Sequence, residues 1–172
     1  MANKYGGGAC TNKHGLQFEQ DTDLKTALIK SGYEVDDNGN VIVEGIIVGF
    51  IASKNKLYAN FLQPRGVVWE DLVSKKILPD EAFINEDNHV VYIIEKKFQS
   101  QSGSVDEKLQ TCGFKKKQYT KLFNPIGYTP EYIYVCNDWF KQKQYDDVMD
   151  YIKECECHVF FNEIPLNFLE LD

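Results

Sequence analysis

Apolar positions along this chain follow two rhythms, a helical one near both ends and a strand-like one between them. Over residues 16–31, Leu24, Ala27 and Leu28 recur at near-helical spacing. The spacing predicts a helix there, ended by Gly32. The run Asp36-Asp37-Asn38-Gly39-Asn40 is a turn signal. Residues 41–51, rich in Val and Ile, predict a strand, and Lys54-Asn55-Lys56 turns it into a second strand around 57–62. Pro64-Arg65-Gly66 then breaks the chain, and 69–77 predicts a short helix.

The next stretch is more informative. Residues 80–84 predict a short strand, Asn85-Glu86-Asp87-Asn88 a turn, and 90–99 a further strand. The first half of that strand, Val90-Val91-Tyr92-Ile93-Ile94, is wholly apolar, which suits a central strand covered on both faces. After a polar loop over 99–103, Ser104-Val105-Asp106-Glu107 has the form of a capping box. A helix to about 123 is expected, with Val105, Leu109, Cys112, Tyr119 and Phe123 turned inward and Gly113 weakening its middle. Pro125-Ile126-Gly127 ends it. A strand over 131–137, a helix over 145–155 and a strand over 158–164 complete the series. The order predicts an α/β (mixed α+β) fold, a central mixed β-sheet flanked by helices. A single domain over 1–172 is expected, with a Gly-rich arm at 1–13, a core at 15–137 and an acidic C-terminal helix and strand at 138–172.

Composition narrows the class. With 43% hydrophobic and 26% charged residues, a packed core is within reach and global disorder is excluded. No run approaches the roughly 18 apolar residues of a membrane helix. The opening Met1-Ala2-Asn3-Lys4-Tyr5-Gly6-Gly7-Gly8 holds no hydrophobic segment, so a soluble, cytoplasmic chain with reduced cysteines is expected. Cys10 with His14, or Cys155 and Cys157 with His158, lack the CxxC spacing of a zinc site. The net charge of -7 argues against phosphate contact, but the charge is uneven. Residues 146–172 hold eight acids against Lys153 alone, whereas 95–121 hold seven lysines against three acids, and 50–76 five bases against two. Two basic surfaces and an acidic tail leave room for a DNA-facing side.

Chemistry concentrates at Ile93-Ile94-Glu95-Lys96-Lys97-Phe98-Gln99. Alternation along a strand sets Glu95, Lys97 and Gln99 on one face. A tight hairpin brings Asp80, after Pro79, beside Glu95. Two carboxylates at one sheet edge suit a hard cation such as Mg²⁺, and a lysine beside them can hold water or offset phosphate charge. Pro79-Asp80 followed, after fourteen residues, by Glu95-Lys96-Lys97 resembles the signature of the PD-(D/E)XK nuclease superfamily. The flanking hairpin, capped helix and strand extend the resemblance over roughly 15–137. The small size and the Leu16-Gln17-Phe18-Glu19 segment make the chain most similar to type II restriction endonucleases.

That resemblance implies a restriction-endonuclease-like core and Mg²⁺-dependent hydrolysis of phosphodiesters in double-stranded DNA at a specific short sequence, leaving 5′-phosphates. It implies Asp80, Glu95 and the backbone carbonyl of Lys96 as metal ligands, with Mn²⁺ able to substitute. It also implies Lys97 as the residue orienting the water, and Glu19 on the first helix as a further acid at the metal. A homodimer and a cognate DNA methyltransferase follow as partners, and no membrane. Gln99, Lys54, Lys56, Arg65, Lys115, Lys116 and Lys117, together with Asn12, Lys13 and His14 of the arm, are candidate DNA contacts. Two alternatives stand beside this reading. One is a structure-specific nuclease of the same fold, a junction resolvase or repair nuclease. The other is a non-catalytic acidic module that binds DNA or protein.

Overall fold

The apolar run of residues 90–94 occupies the middle of a seven-stranded sheet, as its composition requires. The structure, a computed structural model, describes residues 15–171. Its strands are β1 (Gly15–Gln17), β2 (Glu34–Val35), β3 (Asn40–Val43), β4 (Ile46–Ala52), β5 (Glu81–Asn85), β6 (Val90–Lys97), β7 (Thr129–Cys136), β8 (His158–Phe161) and β9 (Glu163–Pro165). The α-helices are α1 (Leu24–Lys30), α2 (Val105–Lys108), α3 (Cys112–Phe123) and α4 (Asp146–Glu154).

The main sheet runs β2-β3-β4-β5-β6-β7-β8, and β1 pairs separately with β9. Pairing is antiparallel from β2 to β6 and parallel from β6 through β8. The parallel pairs need crossovers, which α3 and α4 supply. The sheet is therefore mixed and covered on both faces by helices and helical turns.

Two cores result. On one face Val91, Ile93, Ala82, Ile84, Tyr132 and Tyr134 pack with Tyr119 and Phe123 of α3 and with Leu57 and Phe61. On the other, Tyr92, Ile94, Phe83, Ile133 and Val135 pack with Leu24 and Leu28 of α1 and with Leu166 and Leu169. The unbroken apolar stretch of β6 is thus explained, because its successive side chains enter different cores.

Several boundaries differ from the sequence expectation. Only Leu24–Lys30 of the helix expected over 16–31 is helical. Leu16 and Phe18 are buried and Gln17 between them is exposed, a strand alternation, and Leu16 stands opposite Ile164 in β9. Asp23 starts the helix, its side chain accepting the N–H of Thr26 at 2.7 Å. The expected strand at 57–62 is instead a wide helical (π) turn, Leu57–Leu62. Leu57, Tyr58, Phe61 and Leu62 are buried together, a helical spacing. The strand expected over 41–51 folds back on itself at Glu44 and Gly45, both at positive φ, to give β3 and β4.

The expected helix at 69–77 shrinks to one turn, Trp69–Asp71. The helix expected to 123 is interrupted by a tighter turn, Leu109–Thr111, between α2 and α3. The strand expected over 158–164 divides at Asn162, whose φ is 61°, into β8 and β9. The acidic segment from 138 onward is integral to the fold, since β8 extends the main sheet and β9 holds β1. The arm at 1–13, with Asn12 and Lys13, and His14 after it, lie outside the described residues. Among those described, no helix is long and apolar enough to cross a membrane.

Candidate active site

The β5–β6 hairpin positions the central group. Its register sets Glu81 opposite Ile94, and one further step sets Asp80 opposite Glu95. Residues directly opposite on antiparallel strands share a face, so both carboxylates leave the sheet on the α3 side. Pro79 is buried and its carbonyl accepts the N–H of Lys54 at 2.9 Å, which fixes the entry to the strand. Asp80 itself is exposed. Its Oδ2 accepts the backbone N–H of Lys96 at 3.3 Å, so it lies against the Glu95-Lys96-Lys97 triplet.

Glu95 is buried, and its carboxylate is held by two ammonium groups. Lys97 Nζ donates to Oε2 at 3.0 Å, and Lys115 Nζ of α3 donates to both oxygens at 3.0 Å. Burial works against ionisation of Glu95, but the charges and hydrogen bonds of Lys97 and Lys115 outweigh it and hold the carboxyl below its ordinary range. The carboxylate is therefore negative at neutral pH. Its floor is aromatic: Tyr134 lies beside it across the parallel ladder, with Tyr132 and Tyr119 in ring contact beyond. The Tyr132 hydroxyl is fully buried without a hydrogen-bond partner, and burial followed by the charge of Glu95 raises its pKa.

The structure thus brings Asp80, Glu95 and Lys97 to one end of two central strands and leaves other expected members elsewhere. Glu19 is not on a helix. It is exposed in the turn after β1, where its N–H donates to Thr22 Oγ1 at 3.2 Å. That turn is pinned by Lys96 on the opposite sheet face, whose Nζ donates to the carbonyls of Gln20 at 2.8 Å and Thr22 at 2.6 Å. Gln99 falls beyond the end of β6 and braces it. Its N–H donates to Asn137 Oδ1, Asn137 Nδ2 donates to its carbonyl, and its Nε2 donates to Asp106 Oδ1.

Arg65 is committed to Glu86 at 3.0 Å and stacks over Phe61, so it is not a free loop guanidinium. Lys115 belongs to Glu95, and Lys116 donates to the carbonyl of Glu156. Lys54, Lys56 and Lys117 are exposed. His158 lies on β8 with Nε2 2.8 Å from Glu131 Oε2, a pair that draws the Glu131 carboxyl below its ordinary value. Among the described residues no group of three or more His, Cys, Asp or Glu side chains forms a metal cluster.

Two features escaped the sequence. Lys115, expected from the sequence as a candidate DNA contact, is the partner of Glu95. The only signal was its place on a helix that must pack back over the β6 face. Glu81, next to Asp80 but on the opposite face, has its carboxyl pushed up to about 7 by burial, with the charges of Asp23 and Asp80 adding to it. It borders a cleft of about 680 Å³ that Asp23, Lys56 and Asn60 also line.

The donor set suits a hard divalent ion in its chemistry: two carboxylates at one edge, all-oxygen, with backbone between them. One observation sets a condition on that fit. Both oxygens of Glu95 already carry ammonium contacts, so an ion reaching them must displace one. Comparisons with protein-family models, curated proteins and solved structures found no match to this chain.

Proposed function

We propose that the chain is a Mg²⁺-dependent endonuclease of restriction type, cutting double-stranded DNA at a specific short sequence. The observation that carries this reading is the convergence of Asp80, Glu95 and Lys97 on one hairpin edge, in the order and spacing of the PD-(D/E)XK signature. Asp80, Glu95 and the Lys96 carbonyl would hold the ion. When bound, it supplies positive charge to the phosphate oxygens and acidifies water.

The chain's own groups divide the remaining work. Lys97 projects from the rigid central strand and is 14% exposed, so its ammonium is both fixed and reachable by substrate. It orients the attacking water and offsets charge that grows on the phosphate. Water attacks phosphorus, the bond to the 3′ oxygen breaks, and the new oxygen stays on the 5′-phosphate. The tyrosine floor keeps solvent from the back of Glu95 and strengthens each charge contact there. Cutting both strands of a symmetric site calls for two such edges related by a twofold axis, hence a homodimer. A DNA methyltransferase of the same specificity is its cellular counterpart under this reading.

The test is incubation with a sequenced plasmid in MgCl₂, followed by mapping of the ends. Discrete fragments with 5′-phosphates are expected, and Mn²⁺ should substitute. Cleavage confined to branched DNA would favour a structure-specific nuclease of the same fold. Intact DNA with both metals would favour a non-catalytic acidic module.

A further inference from the structure

Glu95 already has two cationic partners. Lys97 and Lys115 each reach it at 3.0 Å, and the carboxylate side chain is only 5% exposed. A divalent ion at the same oxygens would bring four positive charges within a few ångströms of one negative group. In a partly desolvated site that repulsion is severe, so one ammonium has to leave.

The two lysines are not equivalent. Lys97 sits two residues from Glu95 on the same strand, is 14% exposed and lies 5.9 Å from the Tyr134 ring centroid. It is the less exposed of the two and has a second favourable contact. Lys115 comes from α3, is 27% exposed and reaches in along its flexible four-carbon stem. Both of its hydrogen bonds end on Glu95. Rotation of that stem returns its ammonium to solvent without moving the sheet.

The Tyr132 hydroxyl gives an independent indication. It is buried beside Glu95 and lacks a partner. Buried hydroxyls are seldom left unpaired. A carboxylate freed from Lys115 can turn an oxygen to accept from it.

We propose that Lys115 is a placeholder cation: it neutralises Glu95 while the site is empty and competes with the divalent ion for that carboxylate. This rests on the nuclease reading, because it needs Glu95 to be a metal ligand. It makes the site preformed without metal and makes its metal affinity a competition, weaker than two carboxylates alone would give.

The experiment is Mn²⁺ titration of the intact protein by calorimetry without DNA, on wild type and the variants Glu95→Gln, Lys115→Gln and Lys115→Arg. Lys115→Gln should bind Mn²⁺ about tenfold more tightly than wild type, the effect of removing one competing charge. General damage to the fold would not tighten binding. Lys115→Arg, whose planar fork grips a carboxylate by two bonds, should bind more weakly than wild type. Unchanged or weaker binding by Lys115→Gln overturns the placeholder role, and so does tighter binding by Lys115→Arg, even if Lys115→Gln does not fold. If Glu95→Gln binds Mn²⁺ as well as wild type does, Glu95 is not a ligand and the nuclease reading falls with the proposal.

Discussion

The Asp80 carboxylate accepts the backbone N–H of Lys96 at 3.3 Å. The residue just before β5 is thereby tied to the middle of the triplet that closes β6. Because Asp80 is exposed and its bond is to backbone, it can be changed at little cost to the fold. Asp80→Ala is expected to shift stability by no more than about 0.5 kcal/mol, as for exposed sites generally. Under the proposed nuclease reading it should lower Mg²⁺-dependent plasmid cleavage by at least about 10²-fold, the scale of losing one charge-stabilising group in an active site. Thermal melting and a timed digestion check the two halves separately.

Glu95 behaves in the opposite way. Glu95→Ala leaves the Lys97 and Lys115 ammonium groups facing each other without their shared counter-charge. Losing one member of a buried charge cluster costs about 3 kcal/mol. Removing Lys115 as well should restore part of that loss, so Glu95→Ala with Lys115→Met is expected to be more stable than Glu95→Ala alone. Urea unfolding of the single and double variants measures the coupling.

The Asp23 cap gives a pH-dependent effect. Hydrogen bonds from Thr26 hold its carboxyl below the ordinary 3.8. A carboxyl depressed on folding contributes stability above its unfolded value, and that contribution fades as pH falls through the folded one. Asp23→Ala should therefore cost about 1 kcal/mol at pH 7, the usual worth of an N-cap. The gap should narrow near pH 3, while Asp23→Asn keeps a pH-independent cap. Unfolding curves at the two pH values decide it.

Gly49 is fixed by close packing. A Cβ there would overlap Phe83 Cε2 and lie 2.8 Å from the Ile84 carbonyl oxygen. Backbone cannot yield as a flexible side chain can, so Gly49→Ala should destabilise by about 1–3 kcal/mol, the range for an overpacked core. The denaturation midpoint should fall without a change in slope.

Tyr132→Phe removes a buried hydroxyl that has no partner. Deleting such a group removes a desolvation cost with almost no loss of volume. The metal-free variant should melt at or slightly above the wild-type temperature, whereas a lower temperature would reveal a bond to that hydroxyl.

The sequence by itself determined the features set by local rules. The strand opening with Val90-Val91-Tyr92-Ile93-Ile94 is central because that run is apolar on both faces, and the Pro79-Asp80 and Glu95-Lys96-Lys97 pair is legible because a tight hairpin fixes its register. Strand alternation was enough to put Glu95 and Lys97 on one face. It could not say which face α3 would cover, so Lys115 read as a candidate DNA contact and not as the partner of Glu95. Nor could it separate the alternation of Leu16 and Phe18, which β9 stabilises from the far end of the chain, from the helix beginning at Leu24. The turn at Leu57–Leu62 was likewise decided by burial against a core assembled from other segments. Periodicity is a property of neighbours along the chain. The partner of a charge, and the choice between strand and helix in a short apolar run, depend on groups that only folding brings near.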